Sequence, residues 1–191
     1  MKTARLEAFS DGVLAIVITI MVLEMKVPHD PTLAGLSHLL PVFLSYVLSF
    51  VLIAIYWINH HHMMHLAHHV TPRILWLNIH LLFWLSLVPF VTGYMGENHA
   101  AALPVALYGV VCSACAVAYY LLRQEINCEF PDRAEVAALD ASQARKGRLA
   151  LYCYLASIPF AFVSVYLSFL CFVAPAAMYF VPDRRNEQHG A

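Results

Sequence analysis

The sequence predicts an all-α integral membrane protein with six transmembrane helices and both termini in the cytoplasm. Of its 191 residues, 61% are hydrophobic and 12% are charged, whereas soluble domains carry about 25% charged residues. The apolar residues fall in runs of about 20, the length that crosses a bilayer core of about 30 Å as a helix. The runs are continuously apolar rather than alternating, which argues against a membrane β-barrel.

The apolar runs indicate a single membrane domain covering residues 1–191. The first four spans lie at about 9–27, 39–58, 74–95 and 102–122. The last apolar run is too long for one span even if the helix tilts. A tight turn near residues 163–166 divides it into spans at about 149–164 and 166–182.

Basic residues favour six spans over five, because Lys and Arg near span ends favour the cytoplasm. With six spans and a cytoplasmic N-terminus, only Lys26 lies outside. The other basic residues share the cytoplasmic side: Lys2, Arg5, Arg73, Arg123, Arg133, Arg145, Lys146, Arg148, Arg184 and Arg185. Five spans would place Arg184 and Arg185 on the opposite side. We therefore expect a multi-pass protein of the cell membrane.

The first span has two chemically different faces. At about 100° per residue, one stripe contains Phe9, Gly12, Ile16, Thr19, Ile20 and Leu23. Glu7, Ser10 and Asp11 lie away from that stripe. An intramembrane carboxylate is costly and normally meets a partner inside the protein. We expect a buried polar network between Asp11 and Arg5 or polar residues at the inner ends of spans two and three. The available residues of those two spans are Trp57, Asn59, His60, His61, His62, Asn78 and His80. Asp11 as a simple helix cap in the headgroup region is the alternative.

Histidines are concentrated in HHHMMHLAHH, residues 60–69. On a continuous helix, His61, His65 and His68 would share a face, or alternatively His62, His65 and His69. With the neighbouring methionines, such a set could bind copper or zinc. No carboxylate or cysteine within the segment completes it, so we favour histidines at the membrane interface. We accordingly expect no metal site and no cofactor.

Motifs of catalysis are absent from the sequence. It contains no Gly-rich phosphate loop, no H-E-x-x-H and no serine elbow. The C-x-x-C at Cys112 and Cys115 lies in an apolar span, where small residues more often serve helix packing. We expect neither an enzyme nor a nucleic-acid partner.

A specific motif opens the chain. R-x-x-x-F-S-D-G-V, from Arg5 to Val13, precedes an apolar helix with a threonine eight residues after the aspartate. This FSD motif resembles the opening of the endolysosomal potassium channel family, transmembrane protein 175, and its bacterial homologues. YWINHHH and WLNIHLLFWLSLVPF in the next two spans support the resemblance. A single six-helix repeat implies the bacterial type, which assembles as a homotetramer in the lipid bilayer.

The resemblance implies a potassium channel whose pore is lined by the first helix. Ile16, Thr19 and Leu23 narrow the path, and Gly12 and Ile20 also line it. A structural polar network is implied for Arg5, Phe9, Ser10, Asp11, Trp57, His61 and Asn78. No T-V-G-Y-G filter is present, so a preference for potassium must come from pore size, hydroxyl coordination and dehydration.

Two other classes of membrane protein stay open. A proton-coupled or metal-ion transporter would use Asp11 and the His60–His69 cluster as titrating carriers. A membrane-embedded metal or haem protein would use the histidines as ligands. We see no inverted repeat and no matching pair of broken helices, which argues against a transporter.

Overall fold

The computed structural model describes residues 3–65, 67, 69–98, 100–129 and 134–180. All regular secondary structure within these residues is helical. In chain order the helices are α1 (Thr3–Leu23), α2 (Leu33–Ser37), α3 (Leu40–Met64), α4 (Pro72–Ser86), α5 (Val88–Glu97), α6 (Ala102–Glu129), α7 (Ala134–Val163) and α8 (Val165–Phe180). The all-α prediction is confirmed for this part of the chain.

Long apolar helices give the fold its membrane character. Among the described residues, four segments are long and apolar enough to cross a membrane: Thr3–Leu23, Leu40–Met64, Pro72–Glu97 and Ala102–Glu129. α7 becomes apolar only after Arg148, and α8 is a shorter apolar helix. The chain turns at Ser164 between them, while residues 181 and 182 of the last predicted span lie outside the described ranges. The count of six spans and the location of the termini stay predictions.

The third predicted span, 74–95, is formed by two helices rather than one. Thr71 caps the start of α4, and its hydroxyl oxygen accepts the Ile74 N–H at 3.2 Å. The helix is interrupted at Leu87. Pro89 explains the interruption, because proline has no N–H to donate and its ring clashes with the preceding turn. The break lets α5 pack against both α3 and α6.

The helices α6, α7 and α8 form one side of the bundle. Gly109 lets α6 approach α7 closely, because a β-carbon there would collide with the Ser157 hydroxyl. The Ser168 hydroxyl donates to the Ser157 carbonyl at 2.7 Å, which ties α8 to α7. Tyr108 of α6 meets Phe172 of α8 edge to face, with ring centroids 4.9 Å apart. These contacts leave α1 to the other side of the bundle.

α1 packs against α3, α4 and α5 through one of its faces. The buried residues of α1 recur every three or four positions: Leu6, Ser10, Leu14, Val17 and Met21. This spacing places them along one stripe of the helix. The opposite stripe of α1 is open in the single chain.

Contacts between helices identify the two ends of the bundle. At one end Arg73 Nε lies 3.0 Å from Glu125 Oε2, and the Thr3 hydroxyl donates to the Ala67 carbonyl at 3.0 Å. At the other end Lys26 Nζ lies 2.7 Å from Glu97 Oε1. Most basic residues predicted to be cytoplasmic share the first end: Arg5, Arg73, Arg123, Arg145, Lys146 and Arg148. Lys2, Arg133, Arg184 and Arg185 lie outside the described residues.

Candidate functional site

A chain of buried hydrogen bonds joins α1, α4 and α3. Asn78 Nδ2 of α4 donates to Ser10 Oγ of α1 at 3.0 Å, and that hydroxyl donates in turn to the Leu6 carbonyl at 2.9 Å. On its other side Asn78 Oδ1 lies 2.7 Å from His60 Nε2 of α3. Because the amide oxygen can only accept, His60 Nε2 is the donor. Ser10, Asn78 and His60 are at most 1% exposed, so the chain lies within the packed bundle.

Asp11 makes a separate connection at the edge of this core. Trp57 Nε1 of α3 donates to Asp11 Oδ1 at 2.9 Å. Asp11 is half-buried and Trp57 is exposed. Ser10 and Asp11 are adjacent in sequence and therefore about 100° apart around α1, so one reaches α4 and the other α3. Two neighbouring polar residues thus attach α1 to two different helices.

The histidine against Asn78 differs from the one predicted. His60 occupies that position, whereas His61 Nδ1 lies 2.7 Å from Glu7 Oε1. Successive residues on a helix point about 100° apart, so only one of three consecutive histidines can face α4. His60 continues the buried stripe of Ile53 and Tyr56, and this burial distinguishes it from its two neighbours. His61 instead pairs with Glu7, a residue that the sequence analysis did not place in the network.

Arg5 and Phe9, which were predicted in the polar network, lie outside it. Both lie on the open stripe of α1, and Phe9 is 57% exposed. The spacing explains this, because Arg5, Phe9 and Gly12 follow one another at four and three residues and share one face. Arg5 forms neither an ion pair nor a side-chain hydrogen bond with any other described residue.

The open stripe of α1 contains every residue predicted to line a pore. Gly12, Ile16, Thr19, Ile20 and Leu23 are all exposed, with fractions of 59% for Ile16 and 77% for Leu23. The Thr19 hydroxyl donates to the Ile16 carbonyl at 2.9 Å. Its proton is therefore engaged by the helix, while the exposed side chain leaves the oxygen able to accept. Such an oxygen is a suitable ligand for a cation.

A groove of about 580 Å³ runs between α1 and α5 beside this stripe. Ile16 and Ile20 line one wall and Phe90 the other, while Glu24 and Glu97 lie at one end. Lys26 donates to Glu97, and this hydrogen bond together with the carboxylate charge raises the pKa of Lys26 above its ordinary value. Lys26 therefore keeps its positive charge at neutral pH. The groove is apolar along its length and charged at its outer end.

The histidine cluster is divided among different surroundings. α3 ends at Met64, and His65 still follows its last turn, with its ring against that of His61. The possible set of His62, His65 and His69 is not brought together. His69 Nε2 lies 3.4 Å from Glu129 Oε1 instead. His68, in the other predicted set, lies outside the described residues.

Three side chains of the described residues could hold a metal ion. Glu7, His61 and His65 each offer one ligand atom, and these atoms lie within 4.8 Å of one another. The carboxylate comes from α1 and the two imidazoles come from the C-terminal end of α3. The site is at the same end of the bundle as the polar network.

Comparisons with known proteins relate this chain to a family of potassium channels. The family described as "Endosomal/lysosomal potassium channel TMEM175" matches residues 5–89. A potassium channel of Chryseobacterium sp. (strain P1-3) is 42% identical over 189 residues, or 98% of this chain and 97% of that one. A potassium channel of Streptomyces collinus is 34% identical over 178 residues, or 87% of this chain and 86% of that one.

A solved structure supports the same relationship. The crystal structure of a lysosomal potassium-selective channel TMEM175 homolog from Chamaesiphon minutus has a TM-score of 0.80 with this chain. The two chains are 33% identical, and the match covers 93% of this chain and 95% of that one. The similarity therefore extends from the opening motif to the whole helical bundle.

Proposed function

Because the chain belongs to the TMEM175 family, we propose that it is a potassium-permeable cation channel with a pore lined by α1 of four copies. The observation that carries the proposal is the division of α1 into two faces. Ser10 and Asp11 attach one face to α4 and α3. The opposite face, with Ile16, Thr19 and Leu23, is open in the single chain.

Cyclic symmetry converts the open stripe into rings around an axis. At 1.5 Å per residue, Ile16 and Leu23 lie about 10 Å apart along the helix, and Thr19 lies about 4.5 Å beyond Ile16. Four copies form one apolar ring of Ile16 side chains and another of Leu23 side chains, with a ring of Thr19 hydroxyl groups between them. Apolar constrictions oppose ions by dewetting the path and by requiring partial dehydration. The Thr19 oxygens compensate part of that dehydration.

The proposed selectivity is modest. A filter of backbone carbonyls replaces the hydration shell of potassium, and the T-V-G-Y-G sequence of such a filter is absent. Potassium holds its water less tightly than sodium and therefore crosses an apolar neck at a lower dehydration cost. We expect potassium to be favoured over sodium without sodium being excluded. The potassium ion is the permeant species, and no cofactor takes part.

We further propose that the chain crosses the plasma membrane six times and that both of its termini lie in the cytoplasm. Support comes from the end of the bundle that collects Arg5, Arg73 and Arg123, opposite Lys26. Lys and Arg concentrate on the cytoplasmic side of membrane proteins. The apolar part of α7 and the whole of α8 then supply two short spans joined at Ser164.

Ion flux into proteoliposomes tests conduction itself. Purified protein is reconstituted, and uptake is measured with a potassium gradient and then with a sodium gradient of the same size. We expect passive flux that does not require a pH gradient and is faster for potassium. Vesicles without protein are the control. Potassium movement equal to that control would overturn the proposal.

A proton-coupled or metal-ion transporter is the alternative, favoured by one observation. Glu7, Asp11 and His61 line the same contact between α1 and α3, so titratable groups are concentrated there. Asp11→Asn keeps an oxygen acceptor for Trp57 but removes the charge. A transporter that carries protons on Asp11 loses its flux in this variant, whereas the proposed channel retains passive potassium flux.

A further inference from the structure

The cluster of Glu7, His61 and His65 has the composition of a transition-metal site. Glu7 Oε1 lies 2.7 Å from His61 Nδ1 and 3.8 Å from His65 Nε2. The Nε2 atoms of the two histidines are 3.1 Å apart. One carboxylate and two imidazoles form a donor set that Zn²⁺ and its neighbours in the first transition row accept.

The separations are close to those between ligands of a tetrahedral ion. With metal–nitrogen and metal–oxygen bonds of about 2.0–2.1 Å, neighbouring ligand atoms lie about 3.3 Å apart. Glu7 Oε1 lies 2.7 Å from His61 Nδ1 and 3.8 Å from His65 Nε2, one separation below and one above that value. Each histidine gives an ion one nitrogen, and one ligand atom from each of the three residues lies within 4.8 Å of the others. Rotation of the partly exposed imidazoles therefore suffices to place an ion among the three groups.

The location of the cluster allows an ion to enter. The side chain of Glu7 is 16% exposed, that of His61 41% and that of His65 62%. Glu7 is held by packing on α1, while His65 at the end of α3 faces solvent. A partly buried carboxylate with an exposed imidazole opposite leaves an open coordination position, which water can occupy.

We propose that Glu7, His61 and His65 bind a divalent transition-metal ion of the zinc type and thereby fasten the N-terminal end of α1 to the C-terminal end of α3. The sequence analysis set such a site aside because HHHMMHLAHH contains no carboxylate. The fold supplies that carboxylate from α1. Glu7 and Asp11 are one turn apart on α1, so the metal bridge lies directly beside the hydrogen bond from Trp57.

Cobalt binding tests the site independently of conduction. Untagged, full-length protein in detergent is stripped with a chelator and titrated with Co²⁺, whose visible absorption reports tetrahedral coordination. We expect a saturable phase of one ion per chain that Zn²⁺ displaces. Glu7→Gln and His65→Ala should each weaken this phase by at least about tenfold, since loss of an outer-sphere partner alone costs 10- to 100-fold.

His62→Ala is the matched control, because His62 adjoins His61 in the chain but belongs to no part of the cluster. It should bind Co²⁺ as the wild type does. The His65 side chain is largely exposed, so folding does not depend on it, and His65→Ala keeps the test decisive if Glu7→Gln does not fold. Equal Co²⁺ affinity in the wild type and His65→Ala would overturn the site.

Thermal unfolding tests whether the ion fastens the two helices. A ligand that binds only the folded state raises the unfolding temperature. Zn²⁺ should raise it for the wild type and for His62→Ala and leave it unchanged for His65→Ala. Binding of Co²⁺ without any Zn²⁺-dependent stabilisation of the wild type would contradict the fastening of α1 to α3.

Discussion

Asn78 is the residue on which the buried network depends. Its amide uses a donor toward Ser10 and its oxygen accepts from His60, so a single side chain hydrogen-bonds to residues on two other helices. A buried polar group without a partner costs about 1–3 kcal/mol. The three side chains therefore stabilise one register of α1, α3 and α4, because a rotation of any of these helices leaves polar atoms unpaired.

The register of α3 predicts different effects for two adjacent histidines. His60→Ala removes a buried ring and leaves Asn78 Oδ1 without its donor, so we expect a loss of about 1–3 kcal/mol in the free energy of unfolding. His61→Ala removes a partly exposed contact with Glu7 and should cost less than about 1 kcal/mol. Reversible unfolding in mixed detergent micelles, with a chelator present so that no metal ion contributes, measures both. A larger loss for His61→Ala would show that the register of α3 is wrong.

Sequence alone pointed to Ser10, Asp11, Trp57 and Asn78, and the structure places these four residues in two separate contacts, Asn78 to Ser10 and Trp57 to Asp11. Sequence was not enough to choose among three consecutive histidines, because they have the same chemistry and differ only in their direction around α3. Glu7 was missed for a related reason. Its partners lie on another helix, and nothing within its own segment indicates them.

At the scale of elements, α1 is attached through one face. Its helix begins at Thr3 and ends at Leu23, earlier than the predicted span of 9–27 at both ends. Hydropathy detects the apolar centre of a helix but not the polar turn that precedes it, so the turn carrying Arg5 and Glu7 was left out. The break before α5 was also missed, because an apolar run containing Pro89 reads as continuous.

Two tryptophans allow the attachment of α1 to be tested. Trp57 Nε1 donates to Asp11 on another helix at 2.9 Å, whereas Trp84 Nε1 donates to His80 within α4 at 2.9 Å. Trp57→Phe should lower the free energy of unfolding by about 0.5–1 kcal/mol more than Trp84→Phe. This difference is the usual contribution of a hydrogen bond between helices in membranes. The same micelle unfolding assay compares them. Equal losses would contradict an attachment through Asp11.

At the scale of the whole molecule, the proposed pore requires other copies of the chain. A single chain provides one wall of a pore, and the proposed path exists only when α1 helices meet at an axis. The family resemblance in the sequence implied four copies, because the chain contains one six-helix repeat. The structure of one chain leaves that number as a prediction, since residues facing lipid and residues facing a symmetry axis are both exposed in it.

The assembly is measured by native mass spectrometry of the purified protein in detergent. We expect a dominant species containing four chains of 21.4 kDa each. Trp57→Phe weakens the attachment of α1 to its own bundle. It should leave the mass of the assembly unchanged if copies contact one another through the open stripe of α1 and not through its polar contacts. A protein that is monomeric or dimeric at all concentrations would contradict the proposed pore.

The central claim is that the open stripe of α1 meets the ion, and ion flux through stripe variants tests it most directly. Potassium and sodium fluxes are compared in proteoliposomes for the wild type, Ile16→Asn and Leu23→Ala. Leu170→Ala is the matched control, because Leu170 on α8 is 64% exposed and Leu23 is 77% exposed.

Replacing an apolar ring changes four side chains at once. A reduction of about 0.3 kcal/mol in the barrier per copy therefore raises flux nearly tenfold. We predict that Ile16→Asn and Leu23→Ala increase flux and lower the preference for potassium, while Leu170→Ala behaves as the wild type. Fluxes and ion preference that stay at the wild-type values in both stripe variants would contradict the account.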